Sequence, residues 1–190
     1  MNRTKRLIFE SAIRTFSECG YRGATMDDIA ASAGLAKGTL YYHFSSKEEI
    51  FNFIVEEGIK ILQNQVEEIK TQDIGPIERL VKISEIQLSF LNGYTDFFKV
   101  VMSQLWGSEK RQAELREKIR GYIDEIEIYI KEGMEQGKIE NNDSKLMAYQ
   151  FFGALCIAAV YESINIDKIN LDNTIKKTIE FTLKGLGITW

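Results

Sequence analysis

One proline in the whole chain, Pro76, is the feature that most narrows its fold. Proline removes a backbone donor and clashes with the preceding helical turn, so a chain nearly without it runs helix after helix with few enforced stops. The stretches between breaks are rich in Ile, Leu, Glu and Lys, residues that sit comfortably in helices. Apolar residues recur at three- and four-residue spacing, and no stretch alternates at period two. The pattern predicts an all-α fold.

Local punctuation divides it into nine helices. The first is expected over about Thr4–Cys19, with Leu7, Ile8, Ala12, Ile13 and Phe16 as its apolar stripe and Gly20 as a left-handed stop. A second runs over Thr25–Ala33, where Thr25 and Asp28 form a capping-box variant. Gly34 supplies the positive φ of a tight turn, and a third short helix covers about Lys37–Phe44. Ser46 and Glu49 then make a full Ser-x-x-Glu box that opens a long helix to about Thr71. Pro76 suits the first position of helix five, which ends near Leu91. Four more follow over Tyr94–Leu105, Ser108–Glu135, Asp143–Ile164 and Leu171–Lys184. The expected division is a three-helix helix-turn-helix domain in residues 1–46 and a six-helix domain in 47–190, with no flexible linker.

Composition excludes several classes. The net charge is −4, and residues 1–50 hold seven basic against six acidic side chains, leaving about −5 for the remainder. The chain as a whole is therefore no basic, non-specific polyanion binder. Cys19 and Cys156 are far apart and read as buried free thiols. His43 is the sole histidine, so no metal-ligand spacing exists, and neither a metal nor a cofactor is expected. No nucleophile-and-base constellation suggests an enzyme. No secretory pattern precedes the first helix, and the uninterrupted apolar stretch through Gly153–Tyr161 is too short for a membrane span. A cytoplasmic protein with no membrane partner is expected.

Residues 25–44 have the spacing that sets a second helix across a first. In such a unit the second helix enters the major groove of double-stranded DNA. Lys37, Thr39, Tyr41, Tyr42 and His43 surround an inward Leu40 and Phe44, offering charge to phosphates and hydrogen bonds to base edges. Gly38 lets the backbone approach closely. His43 could instead be a helix-end group facing the dipole, and Tyr41 could pack beside Leu40. Lys47 could be an ordinary solvated lysine, although a cation at a helix start favours a nearby anion, which a phosphate would supply.

The stretch Thr25-Met26-Asp27-Asp28-Ile29-Ala30, continued by Ala33-Gly34-Leu35-Ala36-Lys37-Gly38-Thr39-Leu40-Tyr41-Tyr42-His43-Phe44 and Ser45-Ser46-Lys47-Glu48-Glu49-Ile50, resembles the signature of the tetracycline-repressor family. The resemblance spans roughly residues 5–51. One departure is Ala36, where the family often has a small hydroxyl residue; the lost cap is worth about 1 kcal/mol. The resemblance implies a homodimer that binds a pseudo-palindromic operator and represses. It implies that the last two helices form a four-helix dimer seam and that helices four to eight enclose a small-molecule pocket. Ligand then moves helix four and changes the separation of the two DNA-reading units. Carried onto this sequence, Lys37, Thr39, Tyr41 and Tyr42 face the groove, and Thr25, His43 and Lys47 hold phosphates.

Helix eight is apolar nearly all round and must be covered on both sides, by its own core and by a partner subunit. Gly153, Ala154 and Ala158 permit close approach there, and Leu171, Ile175, Thr178, Ile179 and Thr182 offer a second seam on helix nine. Twofold pairing is the expected symmetry. Candidate pocket walls are Phe90, Tyr94, Phe98, Met102 and Trp106, with Tyr122, Tyr129, Tyr149 and Phe152; the same residues would equally fill a plain core. A hydrophobic or aromatic effector is expected; Glu85, Asp96 and Glu162 could meet a cation if turned inward, but they read as solvated. The competing reading is a helical protein-interaction adaptor that uses residues 1–45 only for packing.

Overall fold

A computed structural model describes residues 1–165 and 171–188, with side chains from residue 173 in the second stretch. The described residues form nine helices: α1 (Arg3–Gly23), α2 (Met26–Ser32), α3 (Lys37–His43), α4 (Lys47–Lys70), α5 (Pro76–Gly93), α6 (Thr95–Gln104), α7 (Lys110–Glu135), α8 (Ser144–Ile164) and α9 (Leu171–Gly185). The boundaries lie close to those read from the punctuation, because local chemistry sets them. Thr25 accepts from the Asp28 amide while the Asp28 carboxylate accepts from the Thr25 amide, completing the box that starts α2. Gly34 has φ +64 at the turn into α3, and Asp143 caps α8 by accepting from the Leu146 amide. Gly20 takes the expected positive φ, but α1 resumes for one more turn to Gly23. At α4 only half of the expected box forms. Ser46 accepts from the Glu49 amide, while the Glu49 carboxylate reaches one residue further back, to the Ser45 amide and hydroxyl.

The chain divides into two compact units, and the division departs from the boundary expected at residue 46. One unit comprises Met1–Ile61 together with Asp96–Lys118; the other comprises Leu62–Thr95 and Ile119–Trp190. The reason is non-local packing. Phe97 of α6 is buried in the first unit, its ring standing where a Cβ on Gly58 of α4 would be. Lys118 pairs with Glu56, and Asn52 donates to Glu114. No pattern within residues 1–46 announces these partners.

In the first unit α2 packs on α1 and on α3. Ile8, Ile29, Leu40, Ile50 and Phe51 are fully buried there. In the second unit α8 packs on α5 and α9, and α5 touches α9. Its core is drawn from Leu80, Ile83, Ile123, Ile130, Phe151 and Leu155. Among the described residues, α8 is the one helix long and apolar enough to cross a membrane. Here its inner face is covered by α5 and α9.

Candidate nucleic-acid interface and effector unit

Helix α3 has seven residues and buries one side chain, Leu40, which anchors it to the unit's core. Its other positions are presented outward. Lys37, Gly38, Thr39, Tyr41 and Tyr42 are exposed, Tyr42 to 85% and Tyr41 to 52%. His43 is half-buried and meets the Tyr42 ring edge-on at 5.2 Å. Phe44, just beyond the helix, is buried as expected. A helix stabilised only to pack would not leave two adjacent tyrosines in water, since each exposed ring forgoes burial. Ala36 makes no side-chain cap, so the helix start relies on main-chain bonds from Thr39 and Leu40 to the Ala36 carbonyl.

The remaining candidate contacts are engaged within the unit. Lys37 donates to Asp27 at 2.5 Å across the helix-turn-helix, and that carboxylate raises the lysine's pKa. The Thr25 hydroxyl donates to Asp28, holding that carboxyl below its usual range. Lys47 is placed differently from a lysine free to hold a phosphate. Its ammonium donates to the Ala24 carbonyl at 2.7 Å and the Arg22 carbonyl at 3.3 Å, and lies 4.8 Å from the Tyr21 ring centroid. It therefore ties the end of α1 to the start of α4. Lys5 lies 5.7 Å from the Phe53 ring and 6.0 Å from Phe44.

The sequence did not announce a second cluster in this unit. Arg111, only 3% exposed, lays its guanidinium 3.7 Å from the Tyr21 ring centroid and 4.8 Å from that of Phe51. It donates to Gln104 and to Glu109, and Glu109 also pairs with Arg22. The interleaved charges at the start of α7 gave only the signature of a solvated helix.

In the second unit Phe90, Tyr122 and Tyr129 are buried and Phe152 is partly so. Tyr122 donates to Gln87, whose amide in turn approaches the Cys156 sulfur at 3.9 Å. Burial pushes the Cys156 thiol up to about 12. Of the other proposed wall residues, Phe98, Met102 and Trp106 belong to the first unit, where Phe98 is buried and Trp106 is 78% exposed. Tyr94 of the second unit is exposed rather than turned inward as a wall residue would be.

Tyr149 does not face inward but opens an exposed stripe on α8, continued by Gly153, Ile157, Tyr161 and Ile164. These follow at three- and four-residue spacing along one helix face. Phe181 of α9 is also exposed. Of the residues expected in a dimer seam, Ala158, Ile179 and Thr182 are instead buried in their own chain, because they fall on the faces that close α8 and α9 on each other and on the core. Gly153 faces outward, Ala154, Ile175 and Thr178 are half-buried, and the Leu171 side chain lies outside the described residues.

Two further expectations are corrected. Cys19 is exposed on the last full turn of α1 before the Gly20 kink, while Cys156 is buried. Glu162 is 8% exposed, with one carboxylate oxygen lacking a hydrogen-bond partner, and burial raises its pKa. Glu85 is exposed, and Asp96 accepts from Ser17 and Lys99.

A short helix anchored by one leucine, hung from a capped partner helix and faced with Lys, Thr and Tyr, defines a helix-turn-helix DNA reader. The profile of the bacterial regulatory proteins of the tetR family matches residues 8–54, and that of a tetracyclin repressor-like C-terminal domain matches residues 73–159. A solved structure of a candidate fatty acid metabolism regulator from Clostridium perfringens is 42% identical, with a TM-score of 0.88 over 97% of this chain and 98% of that one. The fatty acid metabolism regulator protein of Bacillus subtilis is 28% identical over 94% of this chain and 93% of its own length. The structure of FadR from Bacillus subtilis, in complex with stearoyl-CoA, is 24% identical with a TM-score of 0.81, covering 95% of this chain and 98% of that one. The chain belongs to the tetR family of transcriptional regulators: it is a DNA-binding regulator rather than an enzyme.

Proposed function

We propose that this chain is a cytoplasmic, homodimeric repressor that leaves a pseudo-palindromic operator when it binds a long-chain fatty acyl-CoA. The observation that carries the reading is the likeness, at 42% identity over nearly the whole chain, to a candidate fatty acid metabolism regulator. The complex of Bacillus subtilis FadR with stearoyl-CoA supports the effector class, and so does that of AibR with isovaleryl coenzyme A and operator DNA. Phe90, Tyr122, Tyr129 and Phe152 give the interior of the second unit apolar surroundings of the kind an acyl chain would need. The coenzyme head departs from the purely hydrophobic or aromatic effector expected from composition.

On the DNA side, Lys37, Gly38, Thr39, Tyr41 and Tyr42 meet the groove, with His43 and Thr25 near its walls. Lys47 acts by fixing the corner that bears them. The dimer seam is the α8 stripe of Tyr149, Gly153, Ile157 and Tyr161, joined by Phe181. Its residues leave large apolar groups in water in the single chain, which a twofold partner would cover.

The test uses a DNA duplex selected from a random library by the purified protein. Stearoyl-CoA should release it at micromolar concentration, while stearate and free coenzyme A should not. Binding should weaken by orders of magnitude between low and moderate salt as phosphate contacts release counterions. Ile157→Glu should yield single chains in sedimentation. Duplex binding indifferent to every acyl-CoA length would refute the effector, and a salt-independent interaction would refute the DNA reading.

A further inference from the structure

We propose that Arg111 is a positioning residue for operator reading, and that effector control passes through its seat between Tyr21 and Phe51. The second clause rests on the effector-controlled repression proposed above.

The corner between α1 and α2 is the mount from which α3 hangs, because α2 packs on α1 and α3 packs on α2. That corner is held almost wholly by side chains. Tyr21 follows the Gly20 kink, and its ring lies 5.5 Å from Phe16 and 5.4 Å from Phe51. Lys47 grips the carbonyls of Arg22 and Ala24, and Glu109 takes the Arg22 guanidinium at 3.4 Å. Arg111 completes the set by stacking on Tyr21 and Phe51 while bonding Gln104 and Glu109, each at 2.8 Å. Thr25, the cap of α2, begins immediately after this gripped segment.

A buried guanidinium is a conditional kind of core. Leucine would stay put whatever its neighbours did. Arginine holds its place only while its acceptors and aromatic faces are all present, since a half-paired buried charge is expelled to water. The seat therefore depends on all of its partners at once. Its acceptors come from the segment Asp96–Lys118, remote in sequence from the corner they hold. Arg111 itself stands one residue into α7, a single helix whose first turns belong to the DNA-reading unit and whose remainder belongs to the other. A slide or turn of α7 about its own axis carries Arg111 with it.

The experiment compares full-length wild type with Arg111→Met, Tyr21→Leu, the double variant and Glu109→Gln, using the library-selected duplex. Methionine keeps the apolar stem and removes the charge and both hydrogen bonds. Arg111→Met should weaken duplex binding at least tenfold and abolish hydrogen-exchange protection selectively at residues 21–28. Tyr21→Leu should do the same, with the double variant no worse than either. If Arg111→Met does not fold, Glu109→Gln decides. It alters an exposed side chain and should weaken binding several-fold with loss of protection at the same amides. Wild-type affinity in whichever of these variants folds, or additive losses in the double variant, overturns the proposal. Stearoyl-CoA should weaken wild-type binding strongly and the Arg111→Met protein little further; an equal fold-release in both overturns the second clause. If stearoyl-CoA leaves wild type on the duplex, the acyl-CoA reading fails, while the affinity and exchange comparisons still decide the role of Arg111.

Discussion

Replacing Tyr42 with Ala separates DNA reading from folding more cleanly than any other single change. The side chain is 85% exposed, and its recorded ring contact is the edge of His43 at 5.2 Å. Removing it opens no cavity, so the folding effect should stay within about 0.5 kcal/mol. Alanine is a better helix former than tyrosine by up to about 0.7 kcal/mol, so that small effect should favour stability. For a chain of this size the unfolding midpoint should move by no more than about 2 °C. Binding should respond quite differently. A side chain reading base edges is worth about 1–3 kcal/mol, and a twofold complex loses it twice. A loss near 2 kcal/mol already lowers affinity about 30-fold. Fluorescence anisotropy with the selected duplex, beside differential scanning calorimetry, measures both. Leu40→Ala gives the opposite signature, because it empties a fully buried site and should cost about 2–5 kcal/mol of stability. Wild-type affinity for Tyr42→Ala, or an unfolding midpoint many degrees lower, would show that the tyrosine does not read DNA.

Two further tests concern ionisable groups of the second unit. Glu127 accepts from Lys131 and Ser144, and these hydrogen bonds, the first the larger, hold its carboxyl down to about 2. A depressed carboxyl stabilises the fold above its unfolded pKa, and that contribution fades as pH falls from about 4.5 toward 2. Urea unfolding across this window should show a steeper loss in wild type than in Glu127→Gln, and parallel curves would contradict the account. Glu162 has the reverse sign: burial raises its carboxyl, so the ionised form opposes folding and the opposition grows as pH rises through the folded pKa. Glu162→Gln should therefore raise the unfolding midpoint at pH 8 more than at pH 5. A lower midpoint at pH 8 would mean that the carboxylate has a partner in the assembled protein.

The helices were legible because their ends are written locally. Thr25 with Asp28, Gly34, Pro76 and Asp143 each act within a few residues of themselves. The outward face of α3 was legible for the same reason: one buried Leu40 inside a run of polar and aromatic residues fixes which side is turned out. What escaped were pairings across sequence distance. Lys47 reads as the first residue of a helix, and nothing local says that its ammonium reaches back to the carbonyls of Arg22 and Ala24. Arg111 lies among alternating charges, and only the fold brings Tyr21 beneath it. The outer face of α8 was not legible because an all-apolar helix has no polar side to mark it. In the single chain Tyr149, Ile157 and Tyr161 are exposed on that face, while Ala158 is buried.

The single anchoring leucine of α3 also bears on how such a regulator can change over time. Because the helix contributes only Leu40 to the core of its unit, the positions around that residue carry almost none of the stability of the chain. Lineages can therefore substitute most of the outward residues at little cost to the scaffold.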